Sequence, residues 1–156
     1  MKKLVCLGCV LSAILASFTA LADDYRIFIL CNPETSVNVR YKPKKGSEIV
    51  GRLEFGDWIE TDGKESNGFL HVYGIGEYGE GWIFAGYVVK DQPEKTDKVY
   101  ASIGASGRVM SYRWINGRKN GWLKVCEEVK ILGLSEEWAV TDKGYIRTKY
   151  LEVWYE

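Results

Sequence analysis

Val37-Asn38-Val39-Arg40, Gly51-Arg52-Leu53-Glu54-Phe55-Gly56-Asp57-Trp58-Ile59, Asn67-Gly68-Phe69-Leu70, Gly81-Trp82-Ile83 and Tyr87-Val88 are the pieces of one stretch, Ser36 to Val88, on which the reading of this chain turns. The stretch occurs twice. A shift of 70 residues lays Val39 on Val109, Gly51 on Gly121, Leu53 on Leu123, Ile59 on Val129 and Gly63 on Gly133. Further along the shift drops to 63, laying Gly81-Trp82-Ile83 on Gly144-Tyr145-Ile146 and Tyr87-Val88 on Tyr150-Leu151. The chain is thus two copies of one small unit, the first about seven residues longer.

The apolar period inside the stretch is two. Val37 and Val39 alternate with Asn38 and Arg40, and Leu53 and Phe55 with Arg52 and Glu54; this is the pattern of half-buried strands. Tyr25 to Leu30 is β-branched and aromatic enough for a strand, which Pro33 ends. Tyr41-Lys42-Pro43-Lys44-Lys45-Gly46 is turn chemistry. Gly56-Asp57, Asp62-Gly63 and Asn67-Gly68 are dipeptides of the kind hairpins use. Gly74, Gly76 and Gly79 mark a flexible hairpin before the short strand at Gly81-Trp82-Ile83-Phe84. No part of the chain after the leader holds a helical period over three turns. Short strands with a turn signal every ~8 to 12 residues predict an all-β barrel or sandwich.

Working outward, residues 91–98 are polar, charged and include Pro93, and are expected to be a linker between a first unit, 23–90, and a second, 99–156. The second copy departs from the first. Met110 stands where the first has Arg40, Arg113 where it has Pro43, and Cys126 where it has the turn glycine Gly56.

Residues 1–22 read as a signal peptide. Lys2 and Lys3 supply the positive end, Leu4 to Phe18 an uncharged, largely apolar run, and Ala20-Leu21-Ala22 a small-x-small cleavage site. Export to a periplasmic or secreted location is the expectation, with no membrane attachment after cleavage. Lys plus Arg equals Asp plus Glu at 21 each; loss of Lys2 and Lys3 leaves a weakly anionic chain with no attraction to nucleic acid or anionic lipid. Cys6 and Cys9 leave with the leader, so Cys31 and Cys126 remain. In an oxidising compartment they form either a disulfide or two separate thiols.

The residues offer little for catalysis. One His, His71, and two distant Cys do not make a zinc site, and no nucleophile elbow, phosphate loop or His-Glu-x-x-His motif is present. His71 reads as a surface strand residue, and the carboxylates fall mostly in turns and at outward positions. No cofactor and no enzymatic activity are expected.

Val37-Asn38-Val39-Arg40, the turn at Pro43, Val50-Gly51-x-Leu53, Gly56, Asn67-Gly68-Phe69, Gly81-Trp82-Ile83 and Tyr87-Val88, in that order, resemble the bacterial Src-homology-3-like (SH3b) domain. Residues 99–151 resemble it more loosely, through Gly133, Gly144-Tyr145-Ile146 and Lys149-Tyr150-Leu151. The resemblance implies two tandem, strongly bent β-barrels in an exported protein. It implies a binding role, toward a cell-wall (peptidoglycan) peptide or another exported protein. Lys42 stands in place of the glycine usual before the turn proline, and the second unit lacks the Arg-x-x-Pro region. Barrels of this kind hold extended peptides in aromatic-lined grooves, for which the first unit offers Tyr41, Trp58, Tyr73, Tyr78, Trp82 and Tyr87. A second reading makes the aromatics the filling between two packed units that serve an envelope complex as a structural piece.

Overall fold

The computed structural model describes residues 26–104 and 107–155. The expected leader, residues 1–22, lies outside them. Among the described residues the fold is all-β, with 14 strands and three short 3-10 turns. In the first copy the strands are β1 (Arg26–Ile29), β2 (Val37–Arg40), β3 (Ile49–Leu53), β4 (Trp58–Ser66), β5 (Phe69–Tyr73), β6 (Glu80–Phe84) and β7 (Val88–Val89). In the second they are β8 (Glu94–Ile103), β9 (Arg108–Tyr112), β10 (Lys119–Lys124), β11 (Glu128–Leu134), β12 (Trp138–Thr141), β13 (Gly144–Arg147) and β14 (Leu151–Tyr155).

The strands form two seven-stranded sheets, ordered β3-β2-β6-β5-β4-β1-β7 and β10-β9-β13-β12-β11-β8-β14. Adding seven to each label of the first order gives the second, so the duplication read in the sequence is a duplication of topology. Both sheets are open in their hydrogen bonding. Local details repeat as well. The Glu54 amide donates to the Asp57 carboxylate at 2.7 Å, and the Lys124 amide to that of Glu127 at 2.9 Å. Gly56 at φ +82° and Cys126 at φ +61° hold the same left-handed turn position, and each amide donates to a strand carbonyl, Ile29 or Ile103. Glycine adopts that conformation without a Cβ clash; Cys126 adopts it against one.

Alternation puts the predicted apolar residues inside. One core holds Ile27, Ile29, Val37, Val39, Ile59, Leu70, Val72 and Ile83. The second holds Ala101, Ile103, Val109, Leu123, Val129, Ile131, Ala139 and Ile146. A third lies between the sheets: Leu30 and Val89 from the first copy meet Ile115, Trp138, Val140 and Tyr145 from the second, with Phe55, Tyr87 and Tyr112 packed against them.

The expected linker 91–98 is corrected in part. β8 begins at Glu94, and Glu94 and Lys95 pair with Leu134 and Gly133 of β11. Charge along a segment reports that its side chains are solvated; it does not prevent the backbone from joining a ladder.

Candidate functional site

The Gly-rich hairpin after β5 is fixed to the first sheet by Ile75. This side chain is 6% exposed and sits over Gly51, where a Cβ would come within 2.6 Å of it. Gly74 and Gly79, at φ +78° and +69°, close the loop through a Gly74 amide to Gly79 carbonyl bond of 2.8 Å. Left-handed geometry at both ends is what the glycines supply.

Exposed aromatics flank this loop on both sides. At its far end the rings of Tyr78 and Tyr41 lie 6.3 Å apart. The Tyr78 hydroxyl donates to Glu48 at 3.3 Å, and the Lys42 ammonium lies 5.9 Å from the Tyr41 ring. Tyr41 also lines a shallow depression with Lys42, Lys44, Gly46, Ser47 and Glu48. At the near end a depression of about 360 Å³ is lined by Leu53, Trp58, Ile59, Glu60, Tyr73, Gly74 and Ile75. The Arg26 guanidinium stacks over Trp58 at 4.4 Å. Tyr41, Trp58 and Tyr78 are each more than half exposed, and no core accounts for them.

The remaining two candidates lie elsewhere. Trp82 is half-buried on the outward face of β6 and packs on His71, ring centroids 4.8 Å apart. Tyr87 belongs to the join between the sheets, with its ring 5.7 Å from Phe84 and 6.3 Å from Tyr145.

His71 corrects the sequence reading. It is 8% exposed, not a surface residue, because Tyr73 and Trp82 cover its ring. Its Nδ1 lies 3.1 Å from Asp62 Oδ2 and its Nε2 3.6 Å from Glu80 Oε2. Asp62 also accepts from Tyr73 Oη at 2.8 Å and from the Lys64 amide at 3.0 Å. The Lys64 amide bond, followed by those from Tyr73 and His71, brings the Asp62 carboxyl down to about 2. It is therefore ionised at neutral pH and can only accept, which makes Nδ1 the protonated ring nitrogen. With both nitrogens turned to carboxylates, the imidazole holds a wall of aromatics in place. Among the described residues no group of three or more His, Cys, Asp or Glu side chains is placed to hold a metal ion.

Cys31 and Cys126 are separate thiols. Cys31 is buried in the first core, its thiol 3.6 Å from the Thr35 carbonyl, whereas Cys126 is exposed at the turn before β11. The chosen faces of the two sheets meet elsewhere, so the halves pack without bringing these positions together.

No family model and no curated protein matches the chain. Two solved structures are similar over 82% of it. NlpC1 from Trichomonas vaginalis is 19% identical, with a TM-score of 0.33 and 45% of its own length covered. NlpC2 from the same organism is 18% identical, with a TM-score of 0.33 and 47% covered. The chain spans about half the length of each.

Proposed function

We propose that this chain is an exported, non-catalytic binding module of two SH3-like units, and that the first unit recognises an extended peptide. The peptide belongs either to the cell wall or to another envelope protein. The supporting observation is the set of solvent-facing rings, Tyr41 and Tyr78 on one side of the 74–79 loop and Trp58 and Tyr73 on the other. Tyr41, Trp58 and Tyr78 are more than half exposed with no core behind them, and the second copy has no equivalent loop. Aromatic rings give a peptide large contact area at small loss of side-chain freedom. The bent barrel of the SH3-like reading is supported by a first core drawn from β1 through β6.

The test is retention of the purified mature chain on peptidoglycan, compared with the double variants Tyr41→Ala/Tyr78→Ala and Trp58→Ala/Tyr73→Ala. Loss of retention by at least one pair, with the melting temperature unchanged, supports the proposal. Full retention by both pairs refutes it. The core shared by the two sheets favours a second reading, a structural piece of an envelope assembly. That reading gains if the wild-type chain is retained only when a protein partner is present.

A further inference from the structure

The join between the sheets sets unlike faces together. The second sheet contributes the outward face of β12 and β13, where Trp138 pairs across the ladder with Arg147 and Val140 with Tyr145. The first contributes Leu30 and Val89, with Phe55 and Tyr87. Because the topology is duplicated, each sheet owns a copy of both faces. On β5 and β6 the positions of Trp138, Val140, Tyr145 and Arg147 are held by Phe69, His71, Trp82 and Phe84, paired in the same way. This second example of the docking face is aromatic throughout save for His71, and Trp82 and Phe84 on it are only half-buried. It runs on into the join itself, since Phe84 lies 5.8 Å from Phe69 on one side and 5.5 Å from Trp114 of the second copy on the other.

We infer that the outward face of β5 and β6 is a docking surface for a folded β-unit on another protein, one that presents an apolar face like that of Leu30 and Val89. In the join Tyr145 donates a hydrogen bond to the Leu30 carbonyl, and Trp82, at the corresponding ladder position, carries an indole N–H donor. The rim differs. The hairpin between β2 and β3 carries Lys42, Lys44 and Lys45, with Glu48 at its end, where the one between β9 and β10 carries Trp114 and Ile115 between Arg113 and Arg118. The partner is accordingly acidic there, and its binding weakens with salt.

A second copy of this chain does not fit. Its Leu30 face is covered by its own second sheet. The counterparts in that sheet are Gly104, whose amide donates to Tyr150 as that of Leu30 donates to Tyr87, and Glu152, which pairs with Ser102 as Val89 pairs with Phe28. One lacks a side chain and the other carries a charge that docking would bury.

The same difference supplies a probe. Gly104→Leu/Glu152→Ala rebuilds the apolar face at the far end of the full chain, and the second change removes the three atoms nearest a Cβ at residue 104. We expect this variant to associate head to tail, its sedimentation coefficient rising with concentration. Addition of Trp82→Ala should abolish the rise, and Tyr41→Ala/Tyr78→Ala should leave it intact, which separates this surface from the peptide site. Glu152→Val alone, with Gly104 kept, is the second probe should the double variant not fold. If both probes sediment as monomers at all concentrations, or if association survives Trp82→Ala, the inference is wrong. Association of the wild-type chain through Trp82 would overturn the assignment to a different protein.

Discussion

The Tyr145 hydroxyl donates to the Leu30 carbonyl oxygen at 2.8 Å, across 115 residues of chain and inside the core that the two sheets share. Tyr145→Phe removes the donor and leaves the carbonyl desolvated, at a cost of about 1–3 kcal/mol. Urea denaturation measures it.

The same phenol makes stability fall in alkali. Burial pushes Tyr145 far above its ordinary value of 10.0. A folded value raised above the unfolded one means that the contribution is complete below about pH 10 and declines as pH rises past it. Denaturation curves at neutral pH and at about pH 11 should lie closer together in Tyr145→Phe than in the wild type.

Gly133 lies against the first copy at the join. A Cβ there would lie 2.2 Å from the Phe55 ring of the first copy. Gly133→Ala should therefore lower stability by about 1–3 kcal/mol through overpacking. Phe55→Ala introduced in the same chain should recover part of the loss, a coupling that a double-mutant cycle reads directly.

Asp62 gives a pH dependence at the acid end. Its carboxyl titrates at about 2, below the ordinary 3.8, first because of the Lys64 amide and then because of Tyr73 and His71. A lowered folded value contributes stability that is present above about pH 4 and lost as pH falls through about 2. Asp62→Asn should flatten the melting temperature over that interval. An unchanged acid limb would mean that the Asp62–His71–Tyr73 contacts do not hold in solution.

The thiols should differ sharply in reactivity. Exposed Cys126 should react at once with a thiol reagent in the native protein. Cys31, whose thiol is pushed up by burial, should react only on unfolding, because the thiolate is the reactive species. With residues 1–22, which carry Cys6 and Cys9, removed from the chain, two titratable thiols are the expected count in the unfolded, unreduced protein.

Strand alternation and turn dipeptides made the duplicated all-β plan legible, because a period of two and a left-handed turn are local properties. Val37 and Val39 fall in the core as read. The outward aromatics were harder. Trp58 and Tyr87 look alike in sequence, but one faces water and the other the second sheet, and only the packing of the two units separates them. His71 was misread for the same reason: its cover comes from a neighbour two residues away and from Trp82 on the adjacent strand, and the anchoring Asp62 lies one strand back. The separation of Cys31 from Cys126 likewise depends on which faces meet, a property no single stretch of residues carries.

The unlike faces of the join give the molecule a direction. Exchanging the order of the two halves would preserve every strand and every ladder, yet it would bring the Glu152 carboxylate against Trp82 and leave a glycine where Leu30 fills space. The halves share a backbone plan but are not interchangeable parts, and their order along the chain is written in a handful of side chains.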